Sequence, residues 1–418
     1  MRYSISDHCR WVRGKSGSAI YDLRGGLVYA INPEGTNELA KAVQGEDCGE
    51  SAFLDSLKEL DLLNCHSFPI PDIKIKPSLR YVWLELTGAC NCRCLHCYGA
   101  FGVPNKSELR QELTVDEWKS AIDKIIAMGG NAVQLIGGEP LLHPHFSEIL
   151  QYVSDVGMDR IDIFTNGHFI TDELADLIAQ ANASVRISLY GFDAASHDAI
   201  TQHPGSFARL DKGIDLLRAR NVPITMAVVL MQENQEYLEQ IKQYIISKGL
   251  TYNGFDTVRS VKHCPQQSHA VTRQDIILQR YMCKPRFTTS PESFSRNHRW
   301  NSCWYGKFAI TSKGDIIPCI FARDIVCGNI RTDSWERIRE NLLDQWGVTK
   351  DSVETCKDCE FRYACDDCRP LSLGDGDGIL GKYPRCLYNP TTCEWETLVP
   401  KAECPAAICT GGQKNEQL

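Results

Sequence analysis

Four cysteines stand close together in the segment TGACNCRCLHCYGAFG, residues 87–102 of the chain. They are Cys90, Cys92, Cys94 and Cys97. Three of them form a C-x3-C-x2-C set, and three thiolates on one loop can bind three corners of a cubane iron–sulfur cluster. The remaining iron then has no protein ligand, so a small molecule with an amine and a carboxylate can chelate it. Cys92 has no place in this spacing, and we expect the other three to be the ligands.

The cysteine content of the whole chain also indicates metal binding. The 418 residues include 20 cysteines, most of them clustered, and the first residues lack the apolar core of a signal peptide. A long chain without such a signal favours the cytoplasm, where dense thiols usually bind metal. The net charge of −8 and the absence of a Lys/Arg block argue against a nucleic-acid partner. The apolar runs are too short to span a bilayer, so we expect no membrane contact.

A second set of cysteines follows in the C-terminal part of the chain. Its order is C-x10-G-x4-C, then C-x2-C-x5-C-x2-C, then a final cysteine. The members are Cys303, Cys319, Cys356, Cys359, Cys365, Cys368 and Cys386. Over residues 303–393 the periodicity of apolar residues is weak, and such a segment can hardly fold without a stabilising cross-link such as a metal cluster. C-x2-C pairs also occur in zinc sites, which is the alternative interpretation for either set.

Strand-like and helix-like segments alternate between the two cysteine sets. Six apolar runs read as strands, at residues 81–87, 131–137, 160–166, 184–190, 222–231 and 250–258. Amphipathic segments such as VDEWKSAIDKIIAMG separate them, so we expect an α/β fold with a parallel sheet. Six units are too few for a closed eight-fold barrel, which predicts a partial (β/α)6 TIM-like barrel. Ligand groups in such folds lie at the C-terminal strand ends, and the first cysteine set follows the first strand.

The N-terminal segment differs from the barrel. AIYDLRGGLVYAI reads as two strands joined at RGG, and two helical segments follow, which predicts a small winged-helix-like domain. We therefore expect an N-terminal domain at residues 1–78, the partial barrel at 79–285, a cysteine-rich domain at 286–393 and a tail at 394–418.

The central segment resembles the radical S-adenosylmethionine (SAM) superfamily. CNCRCLHC is similar to that family's C-x3-C-x-Φ-C signature, with His96 at the Φ position. GGEP after the second strand resembles the GGE motif, TNG ends the third strand, and Ser188 falls where the family places a ribose contact. The resemblance implies SAM-binding roles for His96, Gly137, Gly138, Glu139, Asn166 and Ser188. It also implies an oxidoreductase in which a 5′-deoxyadenosyl radical, formed by reductive cleavage of SAM at a [4Fe–4S] cluster, abstracts hydrogen from carbon.

The C-terminal set resembles the SPASM domain of radical SAM enzymes that modify peptides and proteins. The resemblance implies two auxiliary [4Fe–4S] clusters. One would be bound by Cys356, Cys359, Cys365 and Cys386, and the other by Cys303, Cys319 and Cys368. The family usually has three residues before Cys368, and here there are two. A fourth ligand for the second cluster is not assigned by spacing, and Cys283, Cys327 and a tail cysteine are candidates.

Residues 19–65 resemble the precursor-binding element of enzymes that mature ribosomal peptides. There a leader peptide adds as a strand to the edge of a three-stranded sheet. The resemblance therefore implies a precursor peptide as partner, together with a reductant such as flavodoxin or ferredoxin. The alternatives are a DNA-binding winged helix or a stabilising cap.

These features favour a peptide maturase that forms a thioether or carbon–carbon cross-link. A peptide epimerase shares the same architecture. A sulfatase-maturating, formylglycine-generating enzyme is a further alternative, but such enzymes usually have Asp where this chain has Ile320. A zinc-stabilised or electron-carrying binding protein is the alternative outside catalysis.

Overall fold

The computed structural model describes residues 3–66, 69–259, 269–277, 287–374 and 377–396. The chain divides into two compact units. The first unit contains Met1–Lys76, Gln274–Tyr305 and Trp346–Leu418, and the second contains Pro77–Arg273 and Gly306–Gln345. Neither unit is therefore one continuous stretch of sequence. The four-segment division expected above stays a prediction.

The first unit begins with a three-stranded antiparallel sheet in the order β1-β2-β3. The strands are β1 Cys9–Arg13, β2 Ser18–Asp22 and β3 Leu27–Ile31, and the helices α1 Pro33–Gln44 and α2 Ala52–Glu59 follow. Asn32 caps α1 by accepting a hydrogen bond from the Gly35 amide at 2.8 Å. The expected hairpin and both helices are confirmed. β1 was missed because CRWVR shows no clear alternation of apolar and polar residues.

The second unit contains the six expected parallel strands. They are β4 Tyr81–Glu85, β5 Ala132–Ile136, β6 Arg160–Thr165, β7 Ser184–Leu189, β8 Ile224–Leu230 and β9 Phe255–Thr257. The helices between them are α3 Lys106–Leu109, α4 Val115–Ala127, α5 Phe146–Asp155, α6 Asp172–Gln180, α7 Ala194–Thr201, α8 Ser206–Arg218 and α9 Leu238–Ser247. β5 is buried along its whole length, as expected for a parallel sheet covered by helices. The partial TIM-like barrel is confirmed.

The barrel sheet is larger than the sequence predicts. Its order is β12-β11-β10-β4-β5-β6-β7-β8-β9. The added strands are β10 Lys307–Ile310, β11 Asp315–Ile317 and β12 Gly328–Asn329. β10 pairs with β4 in parallel, whereas β11 and β12 pair antiparallel. The added strands have four residues or fewer, so too few positions exist for a strand period to show.

The remaining elements lie in the C-terminal half. They are α10 Gln274–Ile277, α11 Pro291–Asn297, α12 Trp335–Trp346, α13 Arg369–Gly374, β13 Tyr388–Asn389 and β14 Glu394–Trp395. α12 is an amphipathic helix inside the segment where the sequence indicates weak periodicity, and its buried residues Ile338, Leu342 and Trp346 are spaced by four along one face. Phe361 and Tyr388 belong to a hydrophobic core that also contains Tyr21 and Phe294, and half-buried aromatic and cysteine side chains pack against this core.

A buried ion pair links the first barrel strand to the loop after β11. The Arg323 Nη1 and Nη2 atoms donate to the two carboxylate oxygens of Glu85 at 2.6 and 3.0 Å. Glu85 ends β4 and is 1% exposed. Burial raises the pKa of Glu85, while Arg323 opposes that change. Because each charge is removed from water, each depends on its partner.

Replacing Arg323 with Met therefore leaves the Glu85 carboxylate buried without its partner. We expect Arg323→Met to lower the free energy of unfolding by about 3–5 kcal/mol, measured by urea denaturation. The double variant Arg323→Met/Glu85→Gln should recover part of that loss. The exposed Arg337→Met provides the matched control. Equal unfolding midpoints for Arg323→Met and Arg337→Met would contradict the account.

Candidate metal and cofactor sites

The loop that carries the first cysteine set is held by backbone hydrogen bonds at several points. The Cys90 amide donates to the Gly102 carbonyl at 2.7 Å, which closes the loop. The amides of Arg93 and Leu95 donate to the last two carbonyl groups of α7 at 3.0 and 3.1 Å. The end of α7 thus supports the middle of a loop that has no regular structure of its own. This support fixes where the thiols face.

All four cysteines of this loop line one cavity of about 110 Å³ at the C-terminal ends of the barrel strands. The same cavity contains the six residues for which the resemblance implies SAM binding: His96, Gly137, Gly138, Glu139, Asn166 and Ser188. Cys92 is 2% exposed, and Asn166 Nδ2 lies 3.6 Å from its sulfur. The structure therefore brings together every residue expected at the SAM site, and it places Cys92 beside them. The choice of three ligands among the four thiols stays a prediction from spacing.

The Glu139 carboxylate is buried and fixed by three donors. It accepts from Thr165 Oγ1 at 2.6 Å, from the Asn166 amide at 2.7 Å and from the Leu141 amide at 3.1 Å. Burial raises its pKa to about 7, although these hydrogen bonds act in the opposite direction. The arrangement suits a carboxylate that meets a cationic group inside the cavity.

Two glycines let the turn after β5 approach the cysteine loop. The Gly138 amide donates to the Thr87 carbonyl at 2.8 Å. A Cβ atom on Gly138 would lie 2.3 Å from the Ala89 carbonyl oxygen, and one on Gly137 would lie 2.5 Å from the Thr87 carbonyl oxygen. Both contacts are with backbone, so a side chain could be admitted only by displacing the loop that carries the thiols.

Two buried polar atoms in this cavity have no hydrogen-bond partner among the described residues. They are His96 Nδ1 and Tyr98 Oη. Burial lowers the pKa of His96 to about 4, so its imidazole is neutral, and its ring meets Tyr190 edge-on at 4.5 Å. Buried polar groups are usually paired, so these atoms fit a cavity that receives a polar ligand. The thiols, the carboxylate and these orphan groups together fit a cluster with bound SAM.

A second cavity lies in the first unit and is lined by four cysteines of the C-terminal set. Cys356, Cys359, Cys365 and Cys386 share this space of about 30 Å³. They are the four residues expected to bind one auxiliary cluster, and their donor set suits a four-iron centre. Lys350, Arg362 and Lys382 line the same cavity, which offsets the negative charge that four thiolates bring.

Lys350 belongs to a buried charge cluster beside these cysteines. Its Nζ atom lies 2.8 Å from Asp367 Oδ2, and the Arg369 guanidinium pairs with the same carboxylate. Lys350 is 6% exposed, and Arg369 is 0% exposed. Arg369 Nη1 also donates to the carbonyls of Ile379 and Gly381 at 3.0 and 2.8 Å. One carboxylate therefore compensates two buried cations.

The other predicted ligands are divided between the units. Cys303 and Cys368 lie in the first unit and Cys319 in the second, so a cluster shared by them stays a prediction. Cys327 is buried in the second unit, and Cys393 lies in the first. Cys264, Cys283, Cys404 and Cys409 lie outside the described residues, as does nearly all of the tail. None of the described cysteines forms a disulfide.

Comparisons with known proteins match the segment that contains the first cysteine set and the segment that contains the first four cysteines of the second set. Residues 84–245 match the Radical SAM superfamily, and residues 303–360 match SPASM, an iron–sulfur cluster-binding domain. The chain contains a radical SAM domain and a SPASM domain. Its radical SAM domain binds a [4Fe–4S] cluster and SAM, and its SPASM domain binds auxiliary iron–sulfur clusters. Among the described residues, no helix combines the length and the apolar content needed to cross a membrane.

Several relatives of known activity are similar to this radical SAM enzyme. The AdoMet-dependent heme synthase of Methanosarcina barkeri is 27% identical over 74% of this chain and 97% of that protein. The subtilosin biosynthesis protein AlbA of Bacillus subtilis is 25% identical over 79% of this chain and 72% of that protein. Streptococcus suis SuiB bound to the precursor peptide SuiA shares the fold, with a TM-score of 0.52 and 14% identity over 94% of this chain and 100% of that chain.

Sequence analysis missed several residues that shape these sites. Glu112 accepts from the Gly88 amide at 2.7 Å and from Thr87 Oγ1 at 3.0 Å, which fixes the start of the cysteine loop. Tyr98 directly follows Cys97, so its position beside the cysteine motif could have marked it as a residue of the site. Glu112 and Lys350 belong to none of the motifs, so only the fold reveals their roles.

Gly138→Ala tests the close approach between the β5 turn and the cysteine loop. Because the added Cβ meets backbone, we expect the loop to shift and the affinity for SAM to fall by at least about tenfold. Iron content after anaerobic reconstitution and the dissociation constant for SAM measure the effect. Gly102→Ala is the control, since no atom lies within 4 Å of its added Cβ. Equal affinities for the two variants would refute the requirement.

Asp367→Asn tests the buried charge cluster. The change leaves Lys350 and Arg369 without a compensating carboxylate, so we expect a loss of about 3–5 kcal/mol in the free energy of unfolding. The neighbouring Asp366→Asn is exposed and should cost almost nothing. Urea denaturation of both variants, prepared identically, measures the difference in their free energies of unfolding. A tolerated Asp367→Asn would show that the two cations do not depend on this carboxylate.

Proposed function

We propose that the protein is a maturase that acts on a ribosomally made precursor peptide. It oxidises one or more residues of that peptide by two electrons and forms a thioether or a carbon–carbon cross-link. The observation that carries the proposal is the three-stranded sheet β1-β2-β3 joined in one chain to the SAM cavity. SuiB, whose solved structure holds a precursor peptide, shares the fold over 94% of this chain.

The residues of the barrel bind and orient the cofactor in this proposal. Bound SAM supplies a 5′-deoxyadenosyl radical that abstracts hydrogen from the peptide. Glu139 holds the ammonium group of the methionine part, with its own carboxylate kept in place by Thr165 and the Asn166 amide. Ser188 and His96 meet polar groups of the nucleoside part. The enclosing side chains exclude water, which protects a reactive radical.

The N-terminal sheet recruits the substrate. β1 and β3 are the two edges of the sheet, and an extended peptide can add to an edge through its backbone hydrogen bonds. Binding one part of the peptide raises the effective concentration of another part at the SAM cavity, because both sites belong to one chain. A flavodoxin or ferredoxin serves as reductant. The SPASM cysteines would hold two [4Fe–4S] centres, and these centres would supply an acceptor for the electron released when the product forms.

A second candidate function is heme synthesis. The 27% identity to the Methanosarcina barkeri heme synthase favours it, and so does the coverage of 97% of that protein. That match, however, covers 74% of this chain, whereas the likeness to SuiB covers 94%. A sheet that binds a precursor peptide would serve a peptide maturase. The names of the heme synthase relatives indicate no peptide substrate for such a sheet.

Two further alternatives remain within peptide and protein modification. The structure of anSMEcpe with bound AdoMet and the Kp18Cys peptide shares the fold, with a TM-score of 0.55 and 15% identity over 73% of this chain and 93% of that chain. Ile320, 7% exposed, stands where sulfatase-maturating enzymes usually have Asp, which argues against formylglycine formation. A peptide epimerase would leave the mass of its substrate unchanged.

Co-expression tests the proposed function. We expect a short peptide encoded beside this gene, produced together with the enzyme under anaerobic conditions, to lose two hydrogen masses per cross-link, as read by mass spectrometry. An unchanged mass with altered stereochemistry would indicate epimerisation. Heme formed without any change to the peptide would favour the second candidate. The inactive Glu139→Gln variant is the control for modification by the host.

SAM binding should depend on pH through Glu139. Burial raises the pKa of this carboxyl to about 7, and only its ionised form attracts an ammonium group. The ionised fraction grows about tenfold between roughly one pH unit below and one above that value, so affinity for SAM should rise about tenfold as pH increases across this range. Glu139→Gln should bind weakly, without this rise. The same rise in Glu139→Gln would show that another group is responsible.

A further inference from the structure

A large cavity in the first unit lies along the edge strand β1. It has a volume of about 770 Å³, and four consecutive residues of β1, Arg10 to Arg13, line it. Successive side chains of a strand point to opposite faces, so a cavity that reaches four in a row runs along the strand edge. Residues 72–73, the end of α11 and residues 362–363 complete the lining. We call this space the arginine groove.

The arginine groove carries a strong positive charge in a chain whose net charge is −8. Its lining contains Arg10, Arg13, Arg299 and Arg362, together with His298 and a single carboxylate, Asp72. The local excess of cations favours an anionic ligand.

Two of these guanidinium groups are available to a ligand. Arg10 pairs with Asp72 at 3.3 Å, and Arg362 Nε donates to Asp351 at 2.9 Å. Arg13 and Arg299 are exposed, and neither makes an ion pair with a carboxylate in the part of the chain that the structure describes. The Arg13 guanidinium lies over the Trp11 ring, 5.6 Å from the ring centroid. Guanidinium groups bind carboxylates through paired, charge-assisted hydrogen bonds.

The groove also has an apolar floor and a free strand edge. Phe294 and Tyr363 lie edge to face at 5.4 Å, and His298 packs on Tyr363 at 4.9 Å. Within the residues that the structure describes, β1 pairs with β2 and with no other strand, whereas the other edge strand, β3, is bridged at Leu27 by Thr288. The Arg13 carbonyl accepts from Arg362 Nη1, and the Cys9 amide donates to the Ser6 carbonyl, so added pairing is confined to the middle of β1.

We propose that the arginine groove binds an acidic, extended segment of the peptide substrate. The backbone of that segment adds along β1, and its Asp or Glu side chains pair with Arg13 and Arg299. This inference rests on the proposed function for the identity of the peptide, but the groove itself can be tested without it. A peptide fits better than nucleic acid, because the N–H and C=O groups of a strand edge can pair with a peptide backbone. The rest of the chain is acidic, which disfavours a polyanion such as DNA.

Binding of a defined probe tests the groove. The probe is a fluorescein-labelled peptide of alternating Glu and Thr residues, and the reference replaces each Glu with Gln. We expect the enzyme with its clusters to bind the Glu peptide at least about tenfold more tightly by fluorescence anisotropy, and the difference should shrink as salt increases. Equal binding of the two peptides would overturn the proposal. It would also be overturned if inorganic phosphate displaced the Glu peptide as well as unlabelled Glu peptide does, or if duplex DNA bound more tightly than the Glu peptide.

Variants then assign the binding to the groove. Arg13→Gln/Arg299→Gln should lose the preference for the Glu peptide. Lys41→Gln/Lys357→Gln, which removes two positive charges outside the groove lining, should keep it. Cleavage of SAM without substrate should be unchanged in both, which shows that the variants fold. A preference retained by the arginine variant would refute the assignment.

The two proposals fail in different ways. If the neighbouring peptide is cross-linked and the arginine variant modifies it with an unchanged KM, the groove is refuted and the maturase function stands. If no peptide is modified but the Glu probe binds through the two arginines, the groove stands and the proposed function falls.

Discussion

The close backbone contact between the β5 turn and the cysteine loop is the constraint on which the SAM site depends. Gly138 meets the carbonyl of Ala89 at a distance that no side chain permits. The contact sets the Glu139 carboxylate beside the thiols of Cys90, Cys94 and Cys97, in one cavity. A cluster ligand set and a cation-binding carboxylate are thus positioned by two loops that follow adjacent strands, β4 and β5, of a rigid parallel sheet.

Charge compensation is the second organising feature. Buried cations accompany the cysteines of the first unit, where Lys350 shares Asp367 with Arg369. The barrel carries its own buried pair, Glu85 with Arg323. Charges held away from water are costly unless they are paired, so each site is stable only with its full complement of partners. The arginine groove differs, because two of its cations stay exposed and without carboxylates among the described residues, which suits binding rather than stability.

Local patterns in the sequence predicted the long elements and the motif residues. The six barrel strands show continuous apolar runs, and GGEP and the cysteines mark strand ends, so the SAM site followed from their order. Strands β10 to β12 were not predicted because they are short, and because β10, which joins them to the sheet, pairs with β4 across more than two hundred residues of sequence. Lys350 and the arginine groove escaped for a related reason. The groove combines residues from distant segments, and Lys350 lies outside the cysteine motif whose cavity it lines, so no spacing in the sequence indicates either of them.

The central claim is that three thiols of one loop hold the cluster at which SAM is cleaved. Anaerobic formation of 5′-deoxyadenosine, measured with SAM and dithionite on reconstituted protein, tests this claim most directly. The account predicts that Cys90→Ala, Cys94→Ala and Cys97→Ala each abolish the product, whereas Cys92→Ala in the same loop retains it. Undiminished cleavage in any of the first three variants, or its loss in Cys92→Ala alone, would contradict the account.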